Sequence, residues 1–196
     1  DGLYRLPLDL SPDLPAEAQT WLSKSGITPA QAVSFGLIWS ESEQTLYIPI
    51  TKEWKRDEPP ELAGYIRRGF NPKFYLTLTH ATAGFWGLYR AKGMDTQSPI
   101  VVLCEDSLSA RKVAACGVDA IALCGVNLRP EVLQFLLKEK YQKGVVWLDG
   151  DNPQVRMMQR RIVRNLAFMP ETQLVETGTD PKHESESSIK RLLLGG

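Results

Sequence analysis

Residues 100–151, IVVLCEDSLSARKVAACGVDAIALCGVNLRPEVLQFLLKEKYQKGVVWLDGD, decide the fold. Three apolar runs, IVVLC, AIALC and VVWL, alternate with two segments of helical period, SLSARKVAA closed by Gly117 and RPEVLQFLLKEKYQKG. A continuous apolar run reads as a strand covered on both faces, and such strands alternating with amphipathic helices form right-handed βαβ units around a parallel sheet. Acids stand where the strands end: Glu105 and Asp106 after the first run, Asp149 and Asp151 after the third. In an open parallel sheet that edge is where ligands bind.

Downstream, NPQVRMMQRRIVRNL predicts another helix, with Asn152 as N-cap and Pro153 at its first position, and QLVET predicts a fourth strand. Upstream the pattern changes. PAEAQTWLSKSG and TPAQAVSFG predict two short helices, the second capped by Thr28 and closed by Gly36, after a proline-rich extended lead-in. Residues 37–78 alternate apolar and polar positions, which predicts antiparallel strands, interrupted by the charged, proline-broken loop KEWKRDEPPE. The polar stretch AKGMDTQSP marks the boundary, so the expected organisation is a smaller α+β subdomain at 1–96 and an α/β domain at 97–196. The expected fold class is α/β: a parallel four-stranded sheet flanked by helices, preceded by that α+β subdomain.

With 196 residues, 43% of them hydrophobic, the chain can bury a substantial core. Lys plus Arg (23) equals Asp plus Glu (23), so no net field draws it to nucleic acid or membrane, and any such affinity must come from local clustering. Three cysteines without a CxxC pair and two histidines speak against zinc or a disulfide framework and for a reducing cytoplasm. No apolar run is long enough to span a bilayer, and the N-terminus does not read as a signal peptide. The first residue is Asp1 rather than Met, which reads as a piece of a longer protein.

Asp149 and Asp151 are two residues apart, so in extended geometry their side chains leave on one side, with Gly150 keeping the turn open. Together with Glu105 they form an all-oxygen set that repels itself unless a divalent cation neutralises it, and Mg²⁺ or Mn²⁺ suits such donors. The same DGD also fits a plain strand-to-helix turn whose acids sit at a helix N-terminus.

A glutamate ending one parallel strand, followed by a strand, a helix and a DxD ending a later strand, resembles the TOPRIM domain of primases, topoisomerases and some nucleases. CGVNLRPEVLQFLL is similar to that family's intervening segment, and TGTDPK is similar to the G-x-DP segment of DnaG-like primases. AGYIRRGFNPKFYLT and GFWGLYRA resemble the region preceding TOPRIM in DnaG-type and phage primases. The resemblance covers about residues 20 to 195, and only its TOPRIM half is specific. It implies Glu105, Asp149 and Asp151 as catalytic acids and metal ligands, with Asp106 and Asp180 as further acids near the metal. Asp106 stands where the family usually has glycine, and EDSLSA is similar to a variant found in phage-encoded TOPRIM proteins.

Between Leu62 and Met94 there is no acidic residue, while Arg67, Arg68, Lys73, Arg90 and Lys92 are interleaved with aromatic residues. Cations that track phosphates and rings that stack on bases are the ingredients of a single-strand surface, although alternate aromatics also make the core face of a small sheet. Arg156, Arg160 and Arg164 form an i, i+4, i+8 stripe, and Lys112 and Lys182 are further candidates for an anionic partner. Ser107 and Ser109 read as helix caps.

The resemblance implies a primase RNA polymerase domain, a nucleotidyltransferase making short RNA primers. Its implied partners are single-stranded DNA, ribonucleoside triphosphates, a replicative helicase and a zinc-binding domain outside this stretch, which itself offers no zinc ligand set. Two other readings of the same residues are a TOPRIM metal-dependent nuclease and a non-catalytic nucleic-acid-binding module of a replication complex.

Overall fold

The computed structural model describes residues 5–55, 58–80, 84–94 and 96–195. The chain divides into two compact units, one of Asp1–Thr51 with Leu62–Gly84, the other of Lys52–Glu61 with Phe85–Gly196.

The first unit pairs two short helices with a five-stranded sheet. The helices are α1 (Ala16–Lys24) and α2 (Pro29–Ser34); the strands are β1 (Leu10–Ser11), β2 (Ile38–Ser40), β3 (Thr45–Lys52), β4 (Glu61–Phe70) and β5 (Lys73–Thr79), adjacent in chain order. α2 starts as expected. The Thr28 hydroxyl accepts from Gln31 N at 3.1 Å while Gln31 Oε1 accepts from Thr28 N at 2.9 Å, a reciprocal capping box that satisfies two otherwise orphaned donors. β2 runs antiparallel to β3, and β4 to β5. Short two-residue β1 pairs with β2, so the lead-in is partly strand, with residues 1–4 outside the described residues.

The second unit is the expected α/β sandwich. Its strands are β6 (Leu88–Tyr89), β7 (Ile100–Cys104), β8 (Asp119–Ala122), β9 (Lys143–Trp147) and β10 (Glu171–Leu174), in the order β10-β9-β7-β8-β6. The connecting helices are α3 (Ser107–Ala115), α4 (Pro130–Lys138) and α5 (Pro153–Asn165), and α6 (Glu186–Leu194) ends the unit. The four strands β10, β9, β7 and β8 are mutually parallel. A fifth strand goes beyond the four expected, because Leu88 and Tyr89 pair antiparallel with Ile121 and Ala120 at the free edge of β8.

Both faces of this sheet are covered, which is why its strands read as unbroken apolar runs. Leu103, Ile121 and Val146 point to one face, under Val132, Phe135 and Leu136 of α4 and Ile162 of α5. Their neighbours Val102, Cys104, Val145 and Trp147 point to the other, under Ala110 and Val113 of α3 and Ile189 and Leu193 of α6. Each fully buried aliphatic side chain contributes about 1.5–3 kcal/mol, and the strict alternation fixes the register, since a one-residue slip would turn each strand over.

The division between units falls at Gly84/Phe85, ahead of the polar stretch around residue 96. Glu53 also belongs to the second unit: its N–H donates to Leu88 O at 3.0 Å, and its carboxylate takes Arg90 N and Lys92 Nζ, each at 2.9 Å. Arg90 and Lys92 are thus each engaged with an acid of their own unit.

Candidate functional site

Register places the acids. Cys104, the last residue of β7, lies opposite Trp147, the last of β9, so Glu105 and Asp149 emerge side by side at the carboxyl edge of adjacent parallel strands. The Asp149 N–H points at Glu105 Oε2, 3.4 Å away. Burial pushes the Glu105 carboxyl above its ordinary range; the Asp149 amide opposes this, and the charges of Asp106 and Asp149 reinforce it. Among the described residues neither Glu105 nor Asp149 is ion-paired. Asp151 sits exposed at the start of α5, where Asn152 caps the helix by accepting from Val155 N at 2.9 Å.

The loop carrying Asp149 and Asp151 is held from below. Gln159 of α5, wholly buried, accepts from Leu148 N at 3.3 Å, and Arg156 Nη1 donates to Gly150 O at 2.9 Å. A Cβ at Gly150 would come within 2.9 Å of Gln159 Nε2 and would oblige that side chain to shift. Gln159 was not among the sequence candidates. Its signal is a polar residue on the otherwise apolar Val155–Ile162–Leu166 stripe of α5.

The other two acids have a different partner. Asp106 is the N-cap of α3, its Oδ1 accepting from Ser109 N at 2.9 Å, so the cap falls one residue before the serines expected to supply it. Its Oδ2 takes Lys182 Nζ at 2.6 Å, and Asp180 Oδ2 takes the same ammonium at 2.7 Å. Burial disfavours the Lys182 charge, yet the two carboxylates outweigh it and raise the ammonium's pKa. Burial likewise pushes the Asp180 carboxyl up, against the pull of Lys182. Lys112, on α3, is turned inward: its Nζ donates to the carbonyls of Lys182 at 2.9 Å and Glu184 at 2.8 Å.

The basic residues are likewise distributed differently from a simple phosphate-binding set. The Arg67 guanidinium meets Glu43 Oε2 at 2.7 Å and lies over the Tyr47 ring. Arg68 is buried among Phe70, Tyr75 and Trp21, with its guanidinium 4.6 Å from the Phe70 centroid, and donates to the Gly69 carbonyl. Lys73 is exposed at the start of β5. Arg156, Arg160, Arg161 and Arg164 line a groove of about 570 Å³ along α5, with Arg160 3.8 Å from Glu176 at its rim.

Glu105 and Asp149 fit a divalent cation in chemistry: two adjacent carboxylates, one partly buried, with no ion pair among the described residues and only the more distant Lys182 charge acting on Glu105. Among the described residues no three His, Cys, Asp or Glu side chains are gathered into a ligating cluster, so Asp151 does not join this pair and a cation here would complete its shell with water.

No family model and no curated protein matches the chain. Among solved structures it is similar to the crystal structure of the zinc-binding and RNA polymerase domains of the Aquifex aeolicus primase, with a TM-score of 0.57 and 17% identity. The match covers 93% of this chain and 50% of that one, so the chain spans half the length of that structure. The likeness is one of fold, a mixed α/β arrangement with a parallel sheet. Among the described residues no helix is long and apolar enough to cross a membrane.

Proposed function

We propose that this chain is the RNA polymerase core of a DnaG-like DNA primase, its second unit a TOPRIM domain, joining ribonucleotides on a single-stranded DNA template. The observation that carries the reading is Glu105 set against Asp149 at the carboxyl edge of two adjacent parallel strands, within a fold like that of a primase. Mg²⁺ or Mn²⁺ bound there would neutralise the charge that develops as a primer 3′-hydroxyl attacks an α-phosphate. Glu105 and Asp149 would hold the cation directly, with Asp151 acting through bound water. Gln159 and Arg156 fix the loop that presents Asp149, and the arginines of α5 offer a phosphate-tracking face. A phage-encoded enzyme acting in the host cytoplasm, with a zinc-binding domain and a replicative helicase as partners, is the setting this reading implies.

The test is extension of an RNA primer on single-stranded DNA with labelled ribonucleotides and Mn²⁺, which bypasses the need for a start-site domain. Incorporation should fall by about 100-fold or more in Asp149→Ala, the loss expected for removing a group that stabilises transition-state charge, and stay unchanged in Lys138→Ala. Cleavage of the template without incorporation would assign a nuclease instead. Salt-sensitive DNA binding without either activity would leave a binding module.

A further inference from the structure

The acids at the rim of the second unit fall into two pairs with different electrostatic fates. Glu105 and Asp149 are adjacent and form no ion pair among the described residues, although the Lys182 charge reaches Glu105. Asp106 and Asp180 share a cation, the ammonium of Lys182 at 2.6 and 2.7 Å, the length of charge-assisted hydrogen bonds. We propose that Lys182 Nζ is a built-in cation that fills the place a second divalent ion would otherwise take, so that this rim binds a single metal, at Glu105 and Asp149.

Three observations carry the inference. The ammonium is fixed in place. The backbone N–H of Lys182 donates to Ser109 Oγ at 3.3 Å and its carbonyl accepts from Lys112 Nζ at 2.9 Å, so the segment is fastened to α3 on both sides of the side chain. The acids it joins have their facing oxygens taken: Asp106 Oδ1 serves as the α3 cap and each Oδ2 accepts from the ammonium, while Asp180 Oδ1, on a side chain only 3% exposed, lies 3.6 Å from His183 Nε2 and accepts no hydrogen bond among the described residues. Displacement is also costly. A divalent ion entering between Asp106 and Asp180 would strand an ammonium that is 16% exposed, and an unpaired charge at that depth is strongly unfavourable. The acids that sequence groups into one ligand set therefore do two jobs. One pair is left for the ion, and the other holds a lysine that supplies fixed positive charge beside it.

The inference rests on the primase reading for the metal at Glu105 and Asp149, and the test separates the two. Mn²⁺ alone is titrated into the whole chain, with stoichiometry followed by the loss of free-ion signal in electron paramagnetic resonance. The wild type should bind one Mn²⁺. Lys182→Met keeps the stem and removes the charge, and should bind two; adding Asp180→Asn should return it to one. Lys182→Arg, which keeps the charge, should stay at one. Two ions on the wild type, or a folded Lys182→Met that binds no more ions than the wild type, would overturn the proposal; should Lys182→Met not fold, Lys182→Gln is read in the same way. If the wild type binds none and Lys182→Met binds one, the Glu105–Asp149 site fails while the built-in cation stands.

Discussion

Asp119→Asn and Glu105→Gln each remove one buried carboxylate charge from the same sheet, at opposite ends of neighbouring strands, and they should move stability in opposite directions. Asp119 opens β8. It is wholly buried, and its oxygens accept from Ala91 N at 2.7 Å, Tyr141 OH at 2.8 Å and Arg90 Nη1 at 3.0 Å. The Arg90 side chain is itself only 12% exposed. Removing one partner of a buried pair costs about 3–5 kcal/mol, and Arg90 keeps the Glu53 and Trp54 carbonyls, so the lower end of that range applies. Glu105 has the reverse balance: partial burial and two like charges weigh against its ionised form, offset only in part by one long contact to a backbone amide and the charge of Lys182. Replacing it with a neutral isostere should stabilise the protein by about 1 kcal/mol, as commonly follows when a functional site is relieved of strain.

The assay is urea unfolding in EDTA near neutral pH, with thermal melting alongside. For a chain of this size about 1 kcal/mol corresponds to roughly 2–4 °C, so Asp119→Asn should melt about 6–12 °C lower and Glu105→Gln about 2–4 °C higher. Glu105→Gln should also lose the stabilisation that Mn²⁺ confers on the wild type by binding only the folded state. A Glu105→Gln variant destabilised by more than about 1 kcal/mol would place Glu105 with Asp119 as a structural carboxylate, and the assignment of the rim as a metal site would be refuted.

The stability advantage of Glu105→Gln should depend on pH. A carboxyl whose folded pKa is raised contributes stability below its unfolded pKa and loses it as pH rises through the folded value, so the advantage should grow from about pH 4 upward; a flat difference would contradict the burial argument. Arg160→Glu with Arg164→Glu should weaken single-stranded DNA binding and reduce the slope of log affinity against log salt by about 1.4, from about 0.7 for each phosphate no longer neutralised; an unchanged slope in fluorescence anisotropy would make the α5 stripe a solvated face. Lys112→Met leaves the Lys182 and Glu184 carbonyls without their donor and should cost about 1–3 kcal/mol of stability, read by the same urea unfolding; a neutral effect would show that the segment 180–184 is held by other interactions.

What the sequence made legible follows from short-range pattern. The runs IVVLC, AIALC and VVWL and the helices between them are local signals, and the rule that ligands meet a parallel sheet at its carboxyl edge acts on strands, so Glu105 and Asp149 could be placed from the chain alone. β6 escapes such a reading because Leu88 and Tyr89 form only a two-residue strand whose partner, β8, lies some thirty residues further along the chain. Arg68 and Lys112 read as phosphate-binding cations because charge is visible in sequence while burial among Trp21, Phe70 and Tyr75, or against carbonyls at 182 and 184, is not.

The same limit bears hardest on Asp106. Sequence puts it beside Glu105, as one of a pair of acids at a strand end, and adjacency suggests shared work. In the fold the two side chains separate: Glu105 stays with Asp149 across the sheet, whereas Asp106 caps α3 and reaches a lysine 76 positions away. Neighbouring residues at the end of a strand point to opposite faces, so a doubled acid there is by geometry better suited to two separate partners than to one ion. That geometry explains why a carboxylate is tolerated at position 106. It has its own counter-charge and its own helix to cap, and it leaves the ion-binding edge of β7 to Glu105.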